Sequence, residues 1–341
     1  MIQLRVDLVS DTATQPTQAM KAAMVAAPLG DEQKAEDPTV LALEERAAAL
    51  LGQERALFLP SATLGNQIAL AILAGAGDEI VAHRTAHVIN HESGGVAMTA
   101  RAQLHPLDTP RGIFTAQDVV RATRVDDPHY PRTRAVVVEN TSNGGGGSVW
   151  PQATFDELAA HCEHAGLFLH VDGARLMNAA VVTKTPVARM VRGATTVQMC
   201  FSKGLGCPFG AVLALPSSLW PRARRLKQAL GGCLRQAGMA AGAMLYALDH
   251  HVERLIEDHR RAGVLAVGLQ GLPGVEVEPV ESNLVFFSTA MSASSFSDAM
   301  LARGVRVGVA GANRLRACLH LDVDDDGVAA ALAAARAVVG G

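Results

Sequence analysis

Short, near-continuous apolar runs alternate with segments of helical period along residues 1–230. The runs at 56–59, 79–82, 135–138, 167–171, 195–201 and 211–215 show little polar alternation, which predicts strands buried on both faces of a mostly parallel sheet. The helical segments between them are punctuated at their ends. Asp37 before Pro38 predicts an N-cap and a first-turn proline ahead of a helix over 39–51, with Gly52 as its left-handed stop. A second helix, 155–165, ends the same way at Gly166. Further on, a long helical stretch at 236–269 leads into strand-like segments at 283–287 and 314–323, then a final helix over 327–339. The pattern predicts an α/β chain in three parts: an N-terminal arm at 1–15, a large α/β domain at 16–245 and a smaller C-terminal α+β domain at 246–341. The glycine run 144–147 reads as a flexible loop, because strand and helix patterns resume on both sides of it.

Composition bounds the function. Hydrophobic residues make up 49% of 341, enough for a large core, but aromatics are only 4%, so Ala, Val and Leu must build it. A net charge of −3 and a pI of about 6.5 point away from nucleic acid and anionic membranes as partners. The start of the chain carries no basic segment followed by a long apolar run, and no run reaches the ~18 apolar residues of a membrane span. The five cysteines, an odd and scattered set, fit a reduced cytoplasmic setting. Cys200 and Cys207 lack a second Cys or His pair nearby, so they read as small buried hydrophobes and no metal site is expected.

Three segments carry candidate chemistry. In Phe58-Leu59-Pro60-Ser61-Ala62-Thr63, a strand ends and small polar residues open an apolar helix, a geometry suited to a phosphate, although an ordinary capped turn looks the same. In Val171-Asp172-Gly173-Ala174-Arg175, a carboxylate leaves the C-terminal end of a buried strand, where open sheets place ligand contacts; a structural Asp–Arg pair is the bland alternative. In Phe201-Ser202-Lys203-Gly204, a lysine follows a buried strand and is flanked by small residues. Only five of the 30 basic residues are lysines, and Lys21, Lys34, Lys184 and Lys227 sit in polar or helical surface contexts. An anion cup, an acid and an isolated amine, in that order, are what pyridoxal phosphate (PLP) requires: a phosphate site, a partner for the ring nitrogen and an imine-forming lysine.

At these residues the chain resembles the L-threonine aldolases, fold-type-I PLP enzymes of the β-eliminating lyase group. The likeness runs nearly end to end. It takes in Ser10-Asp11-Thr12, Glu36-Asp37-Pro38, His87 with Glu92-Ser93-Gly94-Gly95, His170 through Arg175, Ser202 through Gly206, Leu234-Arg235-Gln236, and Arg316 with His320-Leu321-Asp322. It implies a mostly parallel seven-stranded sheet flanked by helices, with the smaller C-terminal domain beside it. It implies that Lys203 forms the Schiff base, Asp172 partners the pyridine nitrogen and His87 stacks on the ring and takes part in proton transfer. Ala62 and Thr63 would bind the phosphate, helped by Arg235 from a neighbouring subunit, and Ser10, Arg175 and Arg316 would hold the substrate α-carboxylate. The shared site would imply at least a dimer, and the resemblance suggests a homotetramer. His83, His91 and His320 are read as structural.

The chain departs from the family pattern at two places. Ser142 stands in Glu139-Asn140-Thr141-Ser142-Asn143 where the family has a histidine near the substrate hydroxyl, and Lys34 stands where a tyrosine is expected. A hydroxyl cannot replace imidazole as a base near neutral pH, so His87 or an ordered water becomes the candidate base. Ser142 also leaves room for a bulky β-substituent. The expected reaction is cleavage of L-threonine, L-allo-threonine or phenylserine-like β-hydroxy-α-amino acids to glycine and an aldehyde. Racemisation or β-elimination on the same cofactor, and a non-catalytic assembly role, are the rival readings.

Overall fold

The computed structural model describes residues 4–340; the first three residues of the expected N-terminal arm, and Gly341, lie outside the described residues. Two sheets organise the chain. The larger has seven strands: β2 (Arg55–Leu59), β3 (Glu79–His83), β4 (Gln103–Leu107), β5 (Thr133–Glu139), β6 (Phe168–Gly173), β7 (Thr196–Cys200) and β8 (Ala211–Leu215). Their order is β2-β8-β7-β6-β5-β3-β4, and only β8 runs against its neighbours. Alternate residues of one strand feed two separate cores. Val136 and Val138 of β5 pack with Leu43, Phe155 and Met244 on one face. Ala135 and Val137 pack with Ile68, Leu70 and Ile72 on the other. Burial of both faces is why these strands carry apolar runs rather than alternation.

β4 has no counterpart in the apolar pattern. It reads Gln103-Leu104-His105-Pro106-Leu107, is only partly buried and lies at the sheet edge, where a proline is tolerated because no ladder bond is lost on the open side.

The smaller sheet has the order β1-β11-β12-β10-β9, with β1 (Val6–Leu8), β9 (Val275–Val277), β10 (Leu284–Thr289), β11 (Val305–Val309) and β12 (Arg314–Cys318). The expected arm thus supplies an edge strand, β1, that pairs in parallel with β11. The segment predicted as strand to residue 323 stops at Cys318, because the chain folds back through a turn in which the Val323 N–H donates to the His320 carbonyl at 2.9 Å.

The helix predicted over 39–51 runs Pro38–Leu51, with the Asp37 carboxylate accepting from the N–H groups of Thr39 and Val40 and with Gly52 at φ 64°. The single helix expected over 236–269 is instead two, Gly238–His250 and Leu255–Gln270. His251 sits in the break, its Nδ1 2.8 Å from the Leu205 carbonyl in the loop that follows Lys203. Residue 246 falls within the first of these helices, whose Ala243, Met244 and Ala247 belong to the large sheet's core.

Two local expectations are overturned. The glycine run is a packed turn, not a flexible loop: Ser142 and Ser148 bridge it, and Gly145, Gly146 and Gly147 are buried. A Cβ on Gly145 would sit 2.0 Å from the Arg111 carbonyl oxygen, so backbone contact requires glycine there. Lys227 is not a surface lysine. It is fully buried, 2.7 Å from Glu32 Oε1 and 5.0 Å from the Phe58 ring centroid. Its helical context hides this, because a paired buried lysine and a solvated one look alike in sequence. All five cysteines are unpaired; Cys233 alone is half-buried, with Arg224 Nη1 2.6 Å from its sulfur.

Candidate active site

β6 ends in Asp172, and the helix Ala62–Leu73 brings Asn66 against it. Asn66 Nδ2 donates to Asp172 Oδ2 at 2.9 Å and to Glu92 Oε1 at 2.7 Å. The amide is aimed by His170, which is neutral because burial pushes its imidazole down to about 4. Thr196 Oγ1 lies 2.8 Å from His170 Nδ1, and Nε2, 3.1 Å from Asn66 Oδ1, donates to that carbonyl oxygen. Asp172 Oδ1 receives the Ala174 N–H at 3.2 Å and, with the Gln198 amide oriented to satisfy its neighbours, a second donor at 2.9 Å. The carboxylate is thus buried with its position fixed from both sides.

His87 opens a short helix, its backbone N–H donating to Glu139 Oε2 at 2.6 Å. Its Nδ1 is 2.9 Å from Glu92 Oε1. That hydrogen bond, helped by the charges of Asp172 and Glu92, raises the His87 pKa against the opposing effect of burial. Burial and the nearby Asp172 charge push the Glu139 carboxyl above the usual range, and its other oxygen accepts from the Asn143 N–H at 2.6 Å.

Lys203 follows β7 in a loop whose turn is closed by the Gly206 N–H on the Lys203 carbonyl at 2.8 Å. Its side chain opens onto a cavity of about 260 Å³ shared with His87, Ser10, Arg175 and Arg316. Thr12, His91, Glu139, Asn143 and Ala174 complete the wall. Arg175 lies within this group but is largely committed: Nε and Nη2 donate to the two oxygens of Asp11 at 2.7 and 2.8 Å. Burial alone would raise the Asp11 carboxyl, and the Arg175 guanidinium overcomes it, holding the acid well below the usual carboxylate range. Arg316 is more open. Its Nη1 donates to Asn143 Oδ1 at 2.9 Å and its Nη2 to the Val9 carbonyl at 2.8 Å.

Besides Asp172, four expected residues lie outside this wall. Ala62 and Thr63 form the first turn of their helix behind Ser61, whose hydroxyl accepts from the Leu64 N–H at 3.2 Å. They share a helix face with Asn66, one turn from the Asp172 contact, which suits the far end of an elongated ligand. Arg235 is exposed and paired with Asp31 at 3.0 Å. Ser142 is buried, with its hydroxyl packed toward Gly112 and Gly145 and not into the cavity. Lys34 is exposed on the short helix Glu32–Lys34. His83 and His320 hold backbone carbonyls, those of Thr109 and Asp7 at 2.9 Å each, whereas His91, expected to be structural, faces the cavity.

The sequence matches the beta-eliminating lyase family over residues 7–292. The chain belongs to that family. Within the lyase family, it is 35% identical to a probable low-specificity L-threonine aldolase of Arabidopsis thaliana, over 94% of this chain and 93% of the relative. It is 36% identical to a low specificity L-threonine aldolase of Escherichia coli K12, over 95% and 96%. Among solved structures, the threonine aldolase of Leishmania major superposes with a TM-score of 0.85 at 19% identity, covering 98% of this chain and 99% of that one. That superposition places the lyase's architecture among the fold-type-I PLP enzymes.

The residues present fit such a cofactor. Lys203 has no side-chain hydrogen-bond or ion-pair partner among the described residues, the buried Asp172 carboxylate is oriented by the donors of Asn66 and Ala174, and Glu92 Oε2 is buried without a partner.

Proposed function

We propose that the chain is a PLP-dependent carbon–carbon lyase that cleaves L-threonine, L-allo-threonine and related β-hydroxy-α-amino acids, including phenylserine-like ones, to glycine and an aldehyde. One observation carries this reading: an uncommitted amine, Lys203, and a guanidinium, Arg316, open onto one small cavity beside buried Asp172. Bound at Lys203, PLP supplies the electron sink for the pair left on Cα when the Cα–Cβ bond breaks. Asp172 keeps the ring nitrogen protonated. Arg316 and Ser10 take the α-carboxylate, with Arg175 contributing Nη1, and a guanidinium suits a carboxylate because it donates two parallel hydrogen bonds. Ala62 and Thr63 hold the phosphate, and Arg235 of a second copy completes that cup, which needs at least a dimer; a homotetramer is the form we propose from the family likeness. Among the described residues, no helix is long and apolar enough to cross a membrane. The odd, unpaired set of cysteines suits the cytoplasmic setting that we propose.

The test is a panel of β-hydroxy amino acids with glycine and aldehyde as readouts, run beside L-alanine and L-serine. Glycine release from the panel supports the reading. D-alanine from L-alanine, or elimination from L-serine, without glycine release would overturn it in favour of racemisation or β-elimination. The Lys203→Ala variant is expected to fold, lose the visible absorption of the bound cofactor and lose cleavage. An unmodified protein that takes up no cofactor would point to an assembly role.

A further inference from the structure

The cavity wall contains an imidazole that the roles above leave unassigned. His91 lies one helical turn after His87, its ring centroid 5.5 Å from that of His87 and tilted by 49°. It shares the cavity with Lys203 and Arg316. Among the described residues, nothing hydrogen-bonds to its ring nitrogens. We infer that His91 is the proton acceptor for the substrate's β-hydroxyl, taking the role that Ser142 cannot fill.

Elimination among the neighbouring groups supports the assignment. A bound amino acid with its amine beside Lys203 and its carboxylate at Arg316 turns its third substituent, Cβ, toward the rest of the polar wall, which holds Thr12, His87, His91, Glu139 and Asn143. His87 is bound to Glu92 through Nδ1 at 2.9 Å, and that contact raises its pKa and engages one of its two ring nitrogens. The oxygens of Glu139 are occupied by the N–H groups of His87 and Asn143. Ser142 Oγ packs toward Gly112 and Gly145. His91 differs from all three: burial, then the charges of His87 and Arg316, lower its pKa, so it is neutral and able to accept near pH 7. Its edge is exposed to solvent, which gives the proton an exit.

The step balances without a further reagent. The hydroxyl O–H proton moves to a ring nitrogen of His91, the oxygen's electron pair closes the carbonyl of the departing aldehyde, and the Cα–Cβ pair remains with the glycine fragment. That fragment takes up one proton at Cα while His91 releases its own to solvent.

The inference rests on the aldolase reading, and the test separates the two. Glycine α-proton exchange in D2O uses the same carboxylate and amine contacts but has no β-hydroxyl. In His91→Phe and His91→Gln, kcat for phenylserine cleavage should fall by roughly 10²-fold or more while glycine exchange stays within about threefold, the loss expected of a positioned general base. The glycine-induced change in cofactor absorbance should be kept in both variants. Position 91 is exposed, so both variants should fold, and thermal unfolding checks this. Equal loss of cleavage and exchange, or unchanged cleavage, would overturn the assignment to His91. An unmodified protein that cleaves no β-hydroxy amino acid would overturn the aldolase reading and this inference with it.

Discussion

One side-chain amide ties the candidate site together. Asn66 links two carboxylates, Glu92 and Asp172, and its orientation is dictated by a neutral histidine, so each group fixes the next. Replacing Asp172 with Asn should leave the cofactor bound while cleavage falls by roughly 10²–10³-fold, the cost of removing one preorganised electrostatic group. Cofactor absorbance and kcat, measured together, check this. Glu92 acts on His87 instead. Its carboxylate favours the imidazolium, so the interaction contributes stability fully below the ordinary histidine value of 6.5, and that contribution is lost as pH rises through the higher folded value. The stability gap between the unmodified protein and Glu92→Gln should therefore be widest below the ordinary histidine value and narrow as pH rises through the higher folded one, read by urea unfolding across a pH series. Lys203 and Asp172 were legible because their residue types and strand-end positions are rare together. His91 and Asn143 were not. The role of Asn143 depends on a turn whose packing no local pattern reveals, and a lone histidine one turn from another reads as structural.

At the scale of elements, the punctuation residues were the most informative. Asp37 does more than cap its helix: its Oδ2 also accepts the Gly238 N–H at 2.8 Å, so one carboxylate joins two helices. Asp37→Ala would lose a cap worth ~0.5–2 kcal/mol and strand a buried N–H at a further ~1–3 kcal/mol, a combined destabilisation of ~1.5–5 kcal/mol in urea melts. Asp37→Asn, which keeps an acceptor, should recover part of it. The buried strands were legible because both faces are covered. β4 was not, since an edge position removes the apolar signal and its proline reads as a breaker. The break between Gly238–His250 and Leu255–Gln270 depends on the contact of His251 with a loop some 46 residues earlier in the chain, which helical periodicity cannot register.

Across the whole molecule, the site is assembled from both sheets. Lys203 and Asp172 come from the large sheet, whereas Arg316 lies on β12 and Ser10 follows β1 of the small one. Arg316→Lys keeps the charge but loses the fork, and a charge-assisted hydrogen bond of ~1.5–3 kcal/mol corresponds to roughly 10–100-fold in kcat/KM. The loss should fall mainly on KM, because in the proposed role Arg316 would hold the carboxylate alike before and during the reaction. The seating of β1 beside β11 has a consequence for biogenesis. Asp7 and its partner Arg306 are separated by 299 positions, so at ~5–20 residues per second the ribosome makes the second roughly 15–60 s after the first. Throughout that interval the earliest strand has no neighbour to pair with. A nascent chain already bearing Lys203 and Asp172 still lacks Arg316, and on the function proposed above substrate recognition is the last property the protein acquires as it is made.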